Sequence, residues 1–286
     1  MNLWQKTKKL FWISRPISWL NTAFPYAAGY LMTGGGLDAV FWIGTLYFLA
    51  PYNVLMYGVN DVFDYESDIK NPRKGGIEGM REQRSFHPTI IVASVAVNLP
   101  FVLYLFVQGN MASRLTLIIL VFFVLAYSLK YLRFKERPFL DSVTSSIHFV
   151  GPLIYALSLV SFTPTAWPYV IAFFLWGMAS HAFGAVQDIT PDRHAKLASI
   201  ATFLGASWTV WFALVLYLAA SVIVISQSFP FYFIGIAGLA YIINILPYAF
   251  LSDRDSMKAN VGWKHFLVLN YLCGFVLTLV LIYISL

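Results

Sequence analysis

Runs of about twenty mostly apolar residues recur from residue 17 to the end of this 286-residue chain, and they restrict its fold more than any other feature. A helix needs about 20 such residues to cross a hydrocarbon core of ~30 Å. The runs cover roughly 17–34, 39–59, 88–108, 111–129, 139–160, 166–187, 200–225, 229–251 and 265–285. Gly or Pro marks several of the short connections, as at Gly34-Gly35-Gly36, Gly109-Asn110 and Thr163-Pro164. Only 11% of residues are charged and 59% are hydrophobic, whereas soluble domains average about 25% charged. The expectation is an all-α integral membrane bundle of nine transmembrane helices, with residues 1–286 forming a single domain.

Charge placement tests that count. With the N-terminus placed in the cytoplasm, every basic residue except Arg114 falls on the cytoplasmic side, and every acid except Asp38 does too. This is the positive-inside asymmetry of a multi-pass membrane protein. It explains the net charge of +6 as topology, with no nucleic-acid partner implied. The basic stretch before residue 17 runs into an ordinary first span, without an obvious small-residue cleavage site, so a cleaved signal is not expected.

Two carboxylate clusters stand at the ends of apolar runs, on the same expected face: Asn60-Asp61-Val-Phe-Asp64-Tyr-Glu-Ser-Asp68 and Asp188-Ile-Thr-Pro-Asp192. Acids in or beside membrane spans are costly and mark function. If the second span continues as a helix, Asp61, Asp64 and Asp68 fall within about 60° of arc, Asn60 widens it to about 100°, and Glu66 points away. Like charges at this spacing repel, and Mg²⁺ with its preference for oxygen ligands would relieve them. In the second cluster Thr190-Pro191 reads as an N-cap followed by proline at the first helical position. Asp188 then ends the sixth span and Asp192 opens a short helix. Four spans separate the clusters, so the chain returns to the same face and the acids are expected to act as paired jaws.

Basic residues follow each cluster: Asn71-Pro-Arg73-Lys74-Gly75-Gly76 after the first, Lys130, Arg133, Lys135 and Arg137 after the fourth span, and Arg193 and Lys196 after the second cluster. Singly, each reads as a topology anchor or a headgroup contact. Together with the acids they describe a pocket for Mg²⁺-bound diphosphate. The lone Cys273 lies in an apolar run and reads as a small core residue. His148 and His181 lie within spans without metal-ligand spacing and read as hydrogen-bonded core residues.

Asn60-Asp61-x-x-Asp64-x-x-x-Asp68 resembles the first aspartate motif of the UbiA superfamily of intramembrane prenyltransferases, and Asp188-x-x-x-Asp192 resembles the second. Arg15-Pro16 and Tyr127-Ser…Lys130 also fit, and the similarity runs from about residue 14 to the C-terminus. Within that superfamily, Pro51 to Asp68 and Asn71 to Glu78 resemble the bacterial lycopene elongases. The family often has Gly four residues after the last acid of the second motif. Here Lys196 stands there, which adds a phosphate contact or alters a turn.

The resemblance implies a UbiA-like bundle whose cytoplasmic helical loops cap the active site. It implies a Mg²⁺-dependent transfer of a C5 prenyl group from an allylic diphosphate, dimethylallyl diphosphate, to the ends of lycopene. Asn60, Asp61, Asp64, Asp68, Asp188 and Asp192 are the expected metal ligands. Arg15, Tyr127, Lys130, Arg133, Arg193 and Lys196, with Asn60, are the expected substrate contacts. Tyr57, Phe63, Tyr65 and Tyr127 lie near enough in sequence to face an allylic cation. Two rival readings remain open at this point: an aromatic quinone precursor or other lipid as acceptor, and a cation-coupled transporter. Transporter sites, however, tend to lie near the midplane on broken helices.

Overall fold

A computed structural model describes residues 1–69, 75 and 80–286, without the side chains of Ser67 and Ser285. The basic segment expected at Asn71–Gly76 and the resemblance at Asn71–Glu78 thus lie outside the described residues, Gly75 excepted. The described secondary structure is all helical: α1 Leu3–Ile13, α2 Leu20–Met32, α3 Ala39–Leu49, α4 Pro51–Phe63, α5 Tyr65–Asp68, α6 His87–Gln108, α7 Met111–Ser128, α8 Leu140–Leu159, α9 Trp167–Val186, α10 Ile189–His194, α11 Ile200–Leu204, α12 Ala206–Ile225, α13 Tyr232–Ile245 and α14 Ala259–Ser285.

Among the described residues seven helical stretches are long and apolar enough to cross a membrane: Ala39–Phe63, Arg84–Gln108, Met111–Ser128, Leu140–Leu159, Pro164–Val186, Ala206–Ile225 and Asp253–Ile284. Large apolar side chains such as Val92, Val107, Val222 and Phe275 point outward on them, as a lipid-facing surface requires. The chain is a multi-pass membrane protein. These stretches match seven of the nine expected spans, and at the other two positions the described helices are shorter. In place of 17–34 there is a 3-10 turn at Pro16–Ser18 and then the 13-residue α2, about 20 Å long. In place of 229–251 there is a shorter apolar helix, Tyr232–Tyr248. The run at 200–225 also divides, because Gly205 adopts φ 81° between α11 and α12.

The chain packs as two compact units, residues 1–134 with 151–162, and residues 135–150 with 163–286. In the first unit α4 lies along α6. A Cβ on Gly58 would come within 3.0 Å of the Ile90 side chain and 3.1 Å of Ser94 Oγ, so this glycine permits the close approach. Asn98 Nδ2 donates to the Pro51 carbonyl (2.7 Å) and Ser94 Oγ to the Val54 carbonyl (3.2 Å). Proline at the first position of α4 loses no helical hydrogen bond. These contacts fix the helix that carries the first acids.

In the second unit α9 packs along α12, with α11 and α14 beside it. Ala182, Phe183, Val186, Ile200, Val210 and Tyr217 are buried in its core. A Cβ on Gly177 would meet Ser146 Oγ at 2.4 Å, so the first half of α8 lies against α9 through small residues. Asp141, fully buried, accepts from the backbone N–H of Ser142 (2.7 Å) and of Ile200 (2.6 Å), which ties the start of α8 to the start of α11.

Candidate active site

The first acid stripe forms much as the helical extrapolation requires, with one interruption. Helix α4 ends at Phe63, Asp64 occupies its C-terminal cap, and α5 resumes from Tyr65 to Asp68. The i→i−4 ladder runs through the break: the Asp64 N–H donates to the Asn60 carbonyl and the Asp68 N–H to the Asp64 carbonyl, both at 2.9 Å. Asp61 and Asp68 are buried, at 5% and 6% exposure. Glu66 is exposed and pairs with Arg84.

Charge repulsion within the stripe is offset by arginines. Arg15 Nη2 lies 2.7 Å from Asp61 Oδ1, and the Met80 N–H donates to Asp61 Oδ2 at 3.3 Å. The Arg15 guanidinium also stacks 4.2 Å from the centre of the Tyr57 ring. Arg133 Nη2 lies 3.7 Å from Asp64 Oδ1, and Arg133 Nη1 donates to the Phe63 carbonyl at 3.4 Å. Ser128 Oγ donates to Asn60 Oδ1 at 3.0 Å. Thus Arg15 and Arg133, both expected at the diphosphate, gather on the first acids together with Asn60. Tyr127 is half-buried and Lys130 exposed, at the end of α7. Tyr57 and Tyr65, expected to face an allylic cation, are already engaged: Tyr57 by Arg15, and Tyr65 by Arg84 at 5.6 Å and by the edge of His87.

The second cluster is built differently from its expected capping. Asp188, not Thr190, is the N-cap of α10, so Pro191 falls at the third helical position. The Asp192 N–H donates to the Asp188 carbonyl at 2.9 Å, which places the two acids one turn apart. Arg193 turns away toward the rest of its unit: Nη1 is 2.7 Å from Asp253 Oδ2, and Nη2 donates to the Thr202 carbonyl at 3.2 Å. The Ala206 N–H donates to Asp253 Oδ1 at 2.6 Å. Asp253 therefore caps α12 while holding α10. Its partial burial opposes ionisation, but the Ala206 N–H and the Arg193 guanidinium outweigh that and hold its carboxyl below the usual carboxylate range. Nothing near Asp253 in the sequence marks this role; its partner lies 60 residues away. Lys196 is exposed and adopts φ 57°. That conformation favours glycine, so the turn itself accounts for the family's preference at this position. His181 Nδ1 lies 3.0 Å from Ser142 Oγ, and His148 is buried.

All six expected metal ligands offer oxygen, from five carboxylates and one amide. Among the described residues no three His, Cys, Asp or Glu side chains lie together as a metal-holding group. The donor set still fits Mg²⁺, which takes oxygen ligands and characteristically only one or two carboxylates beside substrate phosphates. Pairs of acids one turn apart next to guanidinium groups suit a metal–diphosphate ligand.

The model of the UbiA prenyltransferase family matches residues 22–282. A C(50) beta-cyclic carotenoids biosynthesis protein, LbtBC, from Dietzia sp. (strain CQ4) is 50% identical over 277 residues. That match covers 96% of this chain and 64% of the relative, so the chain spans less than two thirds of that protein's length. A lycopene elongase/hydratase from Corynebacterium glutamicum is 48% identical over 280 residues, covering 97% of this chain and 98% of the relative. Among solved structures, a UbiA homolog from Archaeoglobus fulgidus bound to DMAPP and Mg2+ shares the fold, with a TM-score of 0.67 at 18% identity over 93% of this chain and 98% of that one. The apo UbiA homolog from Aeropyrum pernix K1 aligns at a TM-score of 0.65 and 17% identity, over 94% of this chain and 99% of that one. Motifs, fold and relatives converge, and the chain belongs to the UbiA prenyltransferase family.

Proposed function

We propose that this protein is a Mg²⁺-dependent intramembrane prenyltransferase that moves a C5 prenyl group from dimethylallyl diphosphate to the ends of lycopene, in C50 carotenoid synthesis. The single observation that carries the acceptor is the near-50% identity, along almost the whole chain, to relatives named for lycopene elongation and C50 carotenoids. The donor follows from the family and from the DMAPP and Mg2+ bound by a homolog of the same fold.

In this reading Asn60, Asp61, Asp64 and Asp68, and likewise Asp188 and Asp192, would serve as Mg²⁺ ligands. When bound, Mg²⁺ supplies positive charge to the diphosphate oxygens as the allylic C–O bond breaks. Arg15 and Arg133 orient Asp61 and Asp64 through the pairs described above and add fixed positive charge beside the leaving group. Lys130 and Lys196, both exposed, meet the diphosphate's remaining charge. Arg193 acts on α10 through Asp253, as a positioning residue and not as a phosphate contact. Tyr127 borders the donor. The apolar walls exclude water from the allylic cation until an alkene end of lycopene, entering from the bilayer, attacks it; the tertiary carbocation that results is discharged by addition of water or by loss of a proton. The protein lies in a bacterial cell membrane with its N-terminus and both acid clusters on the cytoplasmic side, a placement supported by the basic-residue asymmetry.

Expression in a lycopene-producing bacterium, with mass analysis of the pigments, tests this directly. Carotenoids lengthened by one and two C5 units are expected. Unchanged lycopene beside prenylated hydroxybenzoate in fed extracts would move the protein to a different acceptor.

A further inference from the structure

Helix α1 precedes every element of the site, yet it is firmly built. The Asn2 side chain accepts from the Gln5 N–H at 2.9 Å, and the Gln5 side chain accepts from the Asn2 N–H at 3.0 Å, a reciprocal cap. One side of the helix docks on its own unit. Ile13, fully buried, packs with Phe86 and Ile90, with Leu10 beside them. Lys9 pairs with Glu82 and lies 5.0 Å over the Phe86 ring.

The other side is apolar and uncovered. Leu3 is 80% exposed, Trp4 74% and Phe11 44%. At 100° per residue these three fall within about 100° of arc. Thr7 falls within that arc, Lys6 lies about 60° before Leu3, Lys8 about 40° beyond Trp4, and Trp12, 47% exposed, about 40° beyond Lys8 by the same geometry. The helix carries three lysines and no acid. An exposed face of apolar and aromatic side chains with lysines beside and among them and no acid is the pattern of a helix lying in a membrane interface. At the end of α1 the chain turns at Arg15, which adopts φ 50°, so α1 does not run on into α2. The residue that makes this turn is the one whose guanidinium holds Asp61.

We propose that α1 is an interfacial helix that seats Leu3, Trp4 and Phe11 at the acyl boundary and Lys6 and Lys8 on anionic lipid headgroups. Charge complementarity commits the surface to acidic phospholipid, and the apolar strip commits it to a bilayer. The inference needs only the multi-pass fold and is independent of the acceptor.

The test uses the full chain with Cys273→Ser and one nitroxide-labelled cysteine, in Trp4→Cys, Lys8→Cys or Phe11→Cys, reconstituted in phosphatidylcholine bilayers with or without added phosphatidylglycerol. With phosphatidylglycerol, labels at positions 4 and 11 become accessible to oxygen and shielded from an aqueous nickel chelate, and the label at position 8 shows the reverse. Adding Lys6→Gln and Lys8→Gln to the Phe11→Cys protein lowers the ratio of seated to free helix roughly thirtyfold, the equivalent of about 1 kcal/mol per lysine. Phosphatidylcholine alone has a similar effect. Labels at 4 and 11 as open to nickel as the label at 8 would overturn the proposal. So would seating that ignores both the lipid charge and the two lysines. Positions 4 and 11 report separately, so loss of the Trp4 side chain does not decide the result.

Discussion

Arg15, Arg133 and Lys196 share an uncommon backbone: their φ angles are 50°, 38° and 57°. The left-handed region costs a non-glycine residue roughly 1–2 kcal/mol, and such strain persists where surrounding contacts impose it. For Arg15 the contacts are Asp61 and the Tyr57 ring, and for Arg133 they are Asp64 and the Phe63 carbonyl. Arg15→Met leaves the buried Asp61 without its guanidinium and is expected to cost about 3–5 kcal/mol. Adding Asp61→Asn should restore most of that loss, because the uncompensated charge is gone. Thermal midpoints of the two single variants and the double variant in one detergent check this; a double variant as unstable as Arg15→Met would refute the pairing. Lys196→Gly removes the strain at an exposed turn and offsets it partly with chain entropy. The expected result is a gain of about 0.5–1 kcal/mol, read as a higher midpoint, together with weaker binding of the diphosphate donor as the ammonium is lost.

At the scale of elements, the short helix α10 depends on a loop far along the chain. Arg193 joins it to Asp253, which also caps α12 through the Ala206 N–H. The pair is well exposed, with side-chain exposures of 45% and 39%, so solvent screens it to about 1 kcal/mol or less. Because the folded Asp253 carboxyl is held below its ordinary value, its contribution is fully present above the unfolded carboxylate pKa of about 3.9. It is lost as pH falls through the lower folded value. Asp253→Asn should therefore lower stability at neutral pH and flatten the acid limb of a midpoint-against-pH profile. It should also slow turnover without loss of membrane insertion, because α10 carries Asp192. An unchanged acid limb would show that Asp253 titrates normally.

For the whole molecule, the apolar runs made the multi-pass membrane architecture legible, because they follow from lipid chemistry acting on composition. The acid stripe was legible because helical spacing is local: Asn60, Asp61, Asp64 and Asp68 keep their ladder even across the break at Asp64. Other features depend on long-range contacts and were not. The pairing of Arg193 with Asp253 joins residues on separate elements. Asp141 is committed to the Ile200 N–H, 59 positions away. The helix bounds at 20–32 and 232–248 are shorter than the apolar runs there, because hydropathy does not register where a turn begins.

The central claim is that this chain releases diphosphate from dimethylallyl diphosphate in the presence of Mg²⁺ and that the acids of each motif are needed for it. Its most direct test is Mg²⁺-dependent diphosphate release from dimethylallyl diphosphate by purified protein with lycopene, comparing wild type, Asp64→Asn, Asp192→Asn and the double variant. Each single variant, like the double variant, is predicted to fall by at least about a hundredfold. A single variant that keeps wild-type release would contradict the claim.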